Sequence, residues 1–333
     1  MNKAKLSTAD IAREAGVSPA TVSRVINHRD LVRPETAARV ESVMQAMGFT
    51  KKQTVISSTD DKKVILVNCP QGTNPFYEEI IRGTITSAEA HGYYLVLNYD
   101  HIHPGTIDTF ISLIKRINAS GVILLSRLSE ELLNHLHNVV PLVQCCEYNA
   151  DADYPYVSID DYAAAFQAVN YLISAQRNKI AFVNGPGHFK YARERLQGYL
   201  DALSEAELSV PSDWILQIPQ IDYNMAYSAV SQLLRSDELP NAFFAASDVF
   251  AAAIINAARK FGLRIPEDIM VVGFDNISIS LMVRPTITTV NQPKLQLGYT
   301  ACEMLSEIIA HPKNAAKSIL LSTELIIRES AAN

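Results

Sequence analysis

Residues 7–27 read STADIAREAGVSPATVSRVIN. Ser7 or Thr8 can cap a helix, and Ile11, Ala12 and Ala15 then recur at helical spacing on one face. Gly16 breaks that helix where a tight turn calls for positive φ. Ser18-Pro19 restarts the chain as a capping residue followed by proline at the first helical position, and Val22, Val25 and Ile26 supply a buried face. A third helix begins at Pro34-Glu35, turns Val40, Val43, Met44 and Met47 inward, and stops at Gly48. Two helices joined by a glycine turn form the helix-turn-helix unit, whose second helix enters the DNA major groove. That helix presents Pro19, Ala20, Thr21, Ser23, Arg24 and Asn27 outward. Arg24 suits a base edge, because guanidinium pairs bidentately with guanine O6 and N7. Pro19 and Ala20 offer apolar contact to a thymine methyl, while Thr21, Ser23 and Asn27 suit phosphate oxygens. Thr8 and Ser18, at the two helix starts, complete the candidate DNA-contacting set. The competing reading is a three-helix bundle that packs against protein.

Charge separates this head from the rest of the chain. Residues 1–63 carry 11 Lys/Arg against 7 Asp/Glu, and the remaining 270 carry 18 against 28. A basic head on an acidic body points to a polyanion at the head alone. With 333 residues, 48% of them hydrophobic, the chain has ample material for two or three domains with real cores. Met1–Ala20 is polar and charged where a secretory signal would be apolar, and no apolar run approaches a membrane span. Four cysteines do not make a disulfide framework, so the expectation is a cytoplasmic chain with no membrane partner.

Residues 50–62 are polar and rich in Ser, Thr and Lys, as an inter-domain linker is, and Lys51 and Lys52 suit phosphate contacts. From residue 63 short apolar runs alternate with helix-length segments. Val64–Cys69, Tyr94–Tyr99, Val122–Leu125 and Leu142–Cys145 form one block of predicted strands; Ile180–Val183, Trp214–Ile218, Ala242–Ala245 and Ile269–Val272 form a second. Strand–helix alternation predicts two doubly wound parallel-sheet α/β lobes, meeting near Asp160-Asp161, with a ligand cleft at the carboxyl ends of their strands. The predicted fold class is thus a small all-α helix-turn-helix head on an α/β body.

The run Thr8–Asn27, together with Val32-Arg33-Pro34-Glu35-Thr36, Val40 and Gly48-Phe49, resembles the head of the lactose/galactose repressor family (LacI/GalR). The resemblance continues through Asn74-Pro75-Phe76-Tyr77, Gly185-Pro186, Arg195-Leu196-Gln197-Gly198-Tyr199, Ser247-Asp248, Gly273-Phe274-Asp275-Asn276 and Leu325-Ile326-Ile327-Arg328. All of these but the last are expected just after a strand, at a cleft rim. Ala164–Leu172 and Arg195–Tyr199 look most like the cytidine-responsive members.

The resemblance implies a periplasmic-binding-protein-like body in which the chain crosses between lobes three times. Lobe one then holds about 63–160 and 290–320, and lobe two about 161–289 and 321–333. It also implies a transcriptional repressor whose homodimer binds a double-stranded, pseudo-palindromic DNA operator under control of a small effector, a sugar or nucleoside, in the cleft. The family's effector arginine falls on Arg195, its hydroxyl acceptor on Asp275, and its first-lobe platform on Phe76 and Tyr77 beside Asn74. Phe189 and Tyr191 sit where members place ligand-reading residues, and Asp222 and Asp248 are further acceptors. Many members wedge a leucine from a hinge helix into the minor groove. This linker has no leucine, and Val55 or Ile56 would stand in its place.

Other chemistries have thinner support. His101 and His103 lack a third ligand at metal spacing, Gly185-Pro186-Gly187 lacks the spacing of a phosphate loop, and no Gly-x-Ser-x-Gly elbow occurs. No metal, cofactor or enzymatic activity is expected. A solute-binding protein without a DNA role is the alternative, and the basic head argues against it. An Arg24→Ala protein is expected to lose about 1–3 kcal/mol of discrimination at one symmetric base position. Binding assays across single-base operator variants check this, and unchanged discrimination would remove Arg24 as the base reader.

Overall fold

A computed structural model describes residues 8–18, 21–22, 25, 32, 34–46, 63–70, 74–313 and 316–332. The chain divides into two compact units, Met1–Asp61 and Lys62–Asn333. In the first, helices Thr8–Ala15 and Pro34–Ala46 enclose a small core of Ile11, Ala12, Ala15, Val22, Val25, Ala37, Val40 and Met44. Gly16 adopts φ +62°, the left-handed turn its missing Cβ permits. The Ser18 hydroxyl accepts the Thr21 N–H at 3.2 Å, and the Ser18 carbonyl accepts those of Thr21 and Val22, so Ser18 caps the second helical segment. Pro19, Ala20, Ser23, Arg24, Ile26, Asn27, Met47, Gly48 and the whole linker, with Lys51, Lys52, Val55 and Ile56, lie outside the described residues, as does the Thr8 side chain.

The second unit contains two six-stranded sheets. The first holds β1 (Lys63–Asn68), β2 (Tyr93–Asn98), β3 (Ala119–Leu124), β4 (Leu142–Cys145), β5 (Tyr156–Ile159) and β11 (Ile319–Leu321). The second holds β6 (Ile180–Asn184), β7 (Ile215–Gln217), β8 (Ala242–Ala245), β9 (Met270–Asp275), β10 (Thr288–Asn291) and β12 (Glu324–Ile326). Their orders are β11-β5-β4-β3-β1-β2 and β12-β10-β9-β8-β6-β7. All pairs are parallel except β10 with β12. In both sheets the order reverses beside the first strand, between β1 and β3 and between β6 and β8, which is where open α/β sheets take ligands.

The chain crosses between lobes after β5, after β10, and between β11 and β12. The return to lobe one comes slightly later than Thr289, because Thr289–Asn291 still pair with β12 through Ile326, Leu325 and Glu324. Helix Lys294–Ala310 then packs on helix Phe76–Ala90 at unusually close range. A Cβ on Gly298 would collide with the Ile80 carbonyl, and one on Gly83 with the Leu295 carbonyl. Thr84 Oγ1 sits in the same contact, donating to Ile80 O at 2.9 Å. Gly298→Ala is therefore expected to cost about 1–3 kcal/mol by overpacking. Chemical denaturation reads this directly; an unshifted midpoint would mean the two backbones do not lie this close.

Candidate functional site

The carboxyl ends of both sheets face one cleft of about 460 Å³, mouth included. Lobe one contributes Asn74, Phe76 and Tyr77 after β1, Cys146 and Glu147 after β4, Ser158 and Ile159 at the end of β5, and Leu297. Lobe two contributes Asp161, Tyr191, Arg195, Ile221, Ala246, Ser247, Asp275 and Gln292. Asn74 shapes its own loop, its Oδ1 accepting the Phe76 N–H at 3.1 Å. The Phe76 and Tyr77 rings meet edge to face at 5.3 Å and form an aromatic wall.

Arg195 is buried at the centre. Its Nε donates to Asp161 Oδ1 at 2.8 Å, its Nη2 lies 2.7 Å from the same oxygen, and its Nη1 donates to the Ala246 carbonyl at 2.7 Å. The guanidinium lies 3.4 Å from the Phe274 ring centroid and 4.8 Å from that of Tyr191. Three of the five N–H groups are thus engaged at short range, and the Asp275 carboxylate stands 3.7 Å from Nη1. A planar fork with donors to spare, pinned by stacking, can donate to oxygens in the cleft.

Helix packing explains why Arg195 reaches Asp161. The arginine lies in helix Lys190–Glu205 and the aspartate begins helix Asp161–Ser174. Gly198 lets the two approach; a Cβ there would stand 2.5 Å from the Tyr162 carbonyl. Asp161 Oδ2 also takes the Lys190 ammonium at 2.8 Å, and Lys190 continues to Glu194 at 2.8 Å. Burial pushes the Asp161 carboxyl up, but Arg195 and Lys190 outweigh it and hold the group below its ordinary range.

Asp275 ends β9 at φ +104°. Its Oδ2 accepts Ser247 Oγ at 3.0 Å and its Oδ1 accepts Gln292 Nε2 at 2.8 Å. Burial raises this carboxyl to about 6, with Arg195 as the main opposing influence. The unusual backbone is held by Lys294, whose Nζ donates to the carbonyls of Asp275 at 2.5 Å, Asn276 at 3.1 Å and Gln292 at 3.4 Å. Opposite it, Glu147 receives the backbone N–H groups of Lys190 and Tyr191, and burial lifts its carboxyl to about 7.

The structure brings Asn74, Phe76, Tyr77, Tyr191, Arg195 and Asp275 to the cleft and places three other sequence candidates elsewhere. Asp248 does not line it: fully buried behind, it accepts Thr289 Oγ1 at 2.6 Å and the Ile277 N–H at 2.8 Å. Asp222 caps helix Tyr223–Leu233, its Oδ1 accepting the Met225 N–H at 2.8 Å. Phe189 takes the N-cap position before Lys190 and packs its ring on Tyr191 and His188. The Arg195–Tyr199 motif also lies within a helix rather than directly after a strand. Glu147, Asp161 and Gln292 escaped the sequence reading. Only Asp161 carried a signal, as an acidic pair at the boundary between strand and helix. Among the described residues no group of three metal-ligating side chains occurs, and no helix is long and apolar enough to cross a membrane.

Comparison with known proteins adds an independent line. Residues 7–52 match the family model described as bacterial regulatory proteins, lacI family, and residues 169–331 match a periplasmic binding protein-like domain. The chain is 35% identical over 325 residues to the HTH-type transcriptional repressor CytR of Escherichia coli K12, covering 96% of this chain and 95% of that one. It is 31% identical over 329 residues to the repressor PurR of Proteus mirabilis, covering 97% and 96%. Among solved structures, the transcriptional regulator CelR in complex with cellobiose superposes with a TM-score of 0.73 at 27% identity, over 98% of this chain and all of that one.

Asp161→Asn is expected to destabilise the body by about 3–5 kcal/mol, because it leaves buried cations short of their counter-charge. Urea denaturation measures this, and a loss below the error of the fit would show that Arg195 and Lys190 are satisfied without it.

Proposed function

The chain belongs to the LacI family of bacterial regulatory proteins and is a DNA-binding transcription regulator, and from that premise we propose that it is a repressor whose homodimer is controlled by a neutral, polyhydroxylated effector in the inter-lobe cleft. The observation that carries the effector class is the charge of the cleft. Glu147, Asp161 and Asp275 line it against the guanidinium of Arg195, while the two nearby ammonium groups are engaged outside the lining, Lys190 by Asp161 and Glu194 and Lys294 by the carbonyls of Asp275, Asn276 and Gln292. A phosphate or carboxylate entering there would meet more negative than positive charge. Ligand hydroxyls instead supply the donors that buried carboxylates need, and Arg195 donates to ligand oxygens. The walls of Phe76, Tyr77 and Tyr191 suit the flat face of a sugar or a nucleobase. CelR, at 27% identity, was solved with the sugar cellobiose, which supports the same class here.

On this reading the protein binds rather than transforms its ligand, and works in the cytoplasm where its operator is. Arg24, Pro19, Ala20, Thr21, Ser23 and Asn27, with Thr8 and Ser18, meet a two-fold-symmetric operator, and Val55 or Ile56 approaches the minor groove. The effector alters DNA affinity only by the difference in its affinity for the two conformations of the body.

The test is to recover genomic fragments bound by the full chain at about 0.15 M salt, where non-specific binding is weakened. One enriched two-fold-symmetric sequence is expected. Adenosine, cytidine, uridine, ribose and the 5′-phosphates of the three nucleosides are then titrated by calorimetry. At least one neutral compound should bind about tenfold or more tightly than its phosphate, a difference near 1.4 kcal/mol. Fragments without a shared symmetric site would overturn the operator reading, and preference for a phosphate would overturn the effector class.

A further inference from the structure

Helix Lys190–Glu205 carries both Tyr191 and Arg195 into the cleft, yet its own N-terminus is not capped from within its lobe. Phe189 at the N-cap has no side-chain acceptor to offer. The acceptor arrives from lobe one. Glu147, directly after β4, accepts the Lys190 N–H at 2.7 Å through Oε2 and the Tyr191 N–H at 3.0 Å through Oε1. Both oxygens of one buried carboxylate thus hold the first turn of a helix in the opposite lobe. A carboxylate on a helix N-terminus satisfies orphan N–H groups and meets the positive end of the helix dipole.

We propose that Glu147 is an inter-lobe positioning residue: it fastens the first turn of helix Lys190–Glu205 to lobe one and thereby sets where Tyr191 and Arg195 stand over the cleft. Its part in effector binding rests on the proposed function of that cleft; the fastening itself does not. Separating the lobes breaks both hydrogen bonds and returns the carboxylate to water, so the contact has two discrete states.

The groups around Glu147 decide how the contact responds to pH. They are Lys190 and Tyr191 from the helix, Asp161 from helix Asp161–Ser174, Tyr77 from helix Phe76–Ala90, and the adjoining Cys146. Burial holds Tyr77 and Tyr191 protonated, the hydrogen bond with Cys145 and then burial do the same for Cys146, and the paired cations hold Asp161 ionised. Glu147, lifted to about 7, is the member of this set that titrates near neutrality. Its pKa is raised in the closed state relative to a solvated carboxyl. Burial favours the protonated form there, while the two N–H groups and the Lys190 ammonium favour the ionised one, and burial prevails.

The experiment is residue-resolved hydrogen exchange on the full chain, with neither DNA nor ligand, for the wild type, Glu147→Ala and Glu147→Gln. In Glu147→Ala the amides of Lys190 and Tyr191 should exchange about tenfold faster, while amides from Glu194 onward keep their rate. Glu147→Gln retains one carbonyl acceptor and should fall between. Unchanged rates in Glu147→Ala would overturn the proposal. So would equal acceleration across the whole body in both variants, which would make Glu147 a general stabiliser. Because no operator or effector enters the measurement, failure of the proposed function would leave its result standing.

Discussion

A carboxylate taken out of water must find cations, and Asp161 finds two. It is the first helical residue after the chain leaves lobe one, and it fixes Arg195 on one side and Lys190 on the other. Arg195 in turn reaches the Ala246 carbonyl after β8, stacks on Phe274 of β9 and approaches Asp275 at the end of that strand. One buried charge therefore ties the crossing point, the helix that faces the cleft, and the two central strands of the second sheet. The arrangement depends on backbone proximity, which Gly198 permits between the helices that bear the partners. Burying ions is costly, and such a network is weak evidence for net stability. Its consequence here is geometric: the arginine cannot drift, so its remaining N–H groups point at a defined place.

The strands that were legible in the sequence are those that read as apolar runs. Val64–Val67 and Ala242–Ala245 are continuous apolar runs because parallel strands are covered on both faces. The strands that escaped notice are β5, β10, β11 and β12, whose sequences are YVSI, TTVN, ILL and ELI, the last two only three residues long. In β5 and β10, polar side chains are committed to partners outside the strand. Ser158 donates to the Cys146 carbonyl, Thr288 exchanges bonds with Arg328, and Thr289 donates to Asp248. No local pattern encodes such pairings.

The site divides along the same line. Residues at or just beyond apolar strands, such as Asn74, Phe76 and Asp275, could be placed because the family resemblance marks them, at strand ends where open α/β sheets take ligands. Acidic residues could not be sorted by position alone. Asp222 and Asp275 both follow apolar stretches; one caps a helix and the other lines the cleft. Asp248 differs again, its two oxygens consumed behind the wall by Thr289 and Ile277. The distinction lies in which donors the folded chain delivers, and Glu147 shows it most clearly, since its donors belong to the other lobe.

The third crossing has a consequence for how the body is made. Lobe one acquires its last strand only when Ile319–Leu321 settle beside β5, and lobe two only when Glu324–Ile326 settle beside β10. The seal is reinforced by Tyr171, which donates to the Ala331 carbonyl, and by Ser330, which donates to that of Val271. A nascent chain that has emerged as far as Ala310 has thus completed neither half, although it already carries the whole head. Closing loops of this length is entropically slow. Neither sheet of the body can therefore close before one short stretch, residues 319–326, is in place, and the two halves share the segment that completes them.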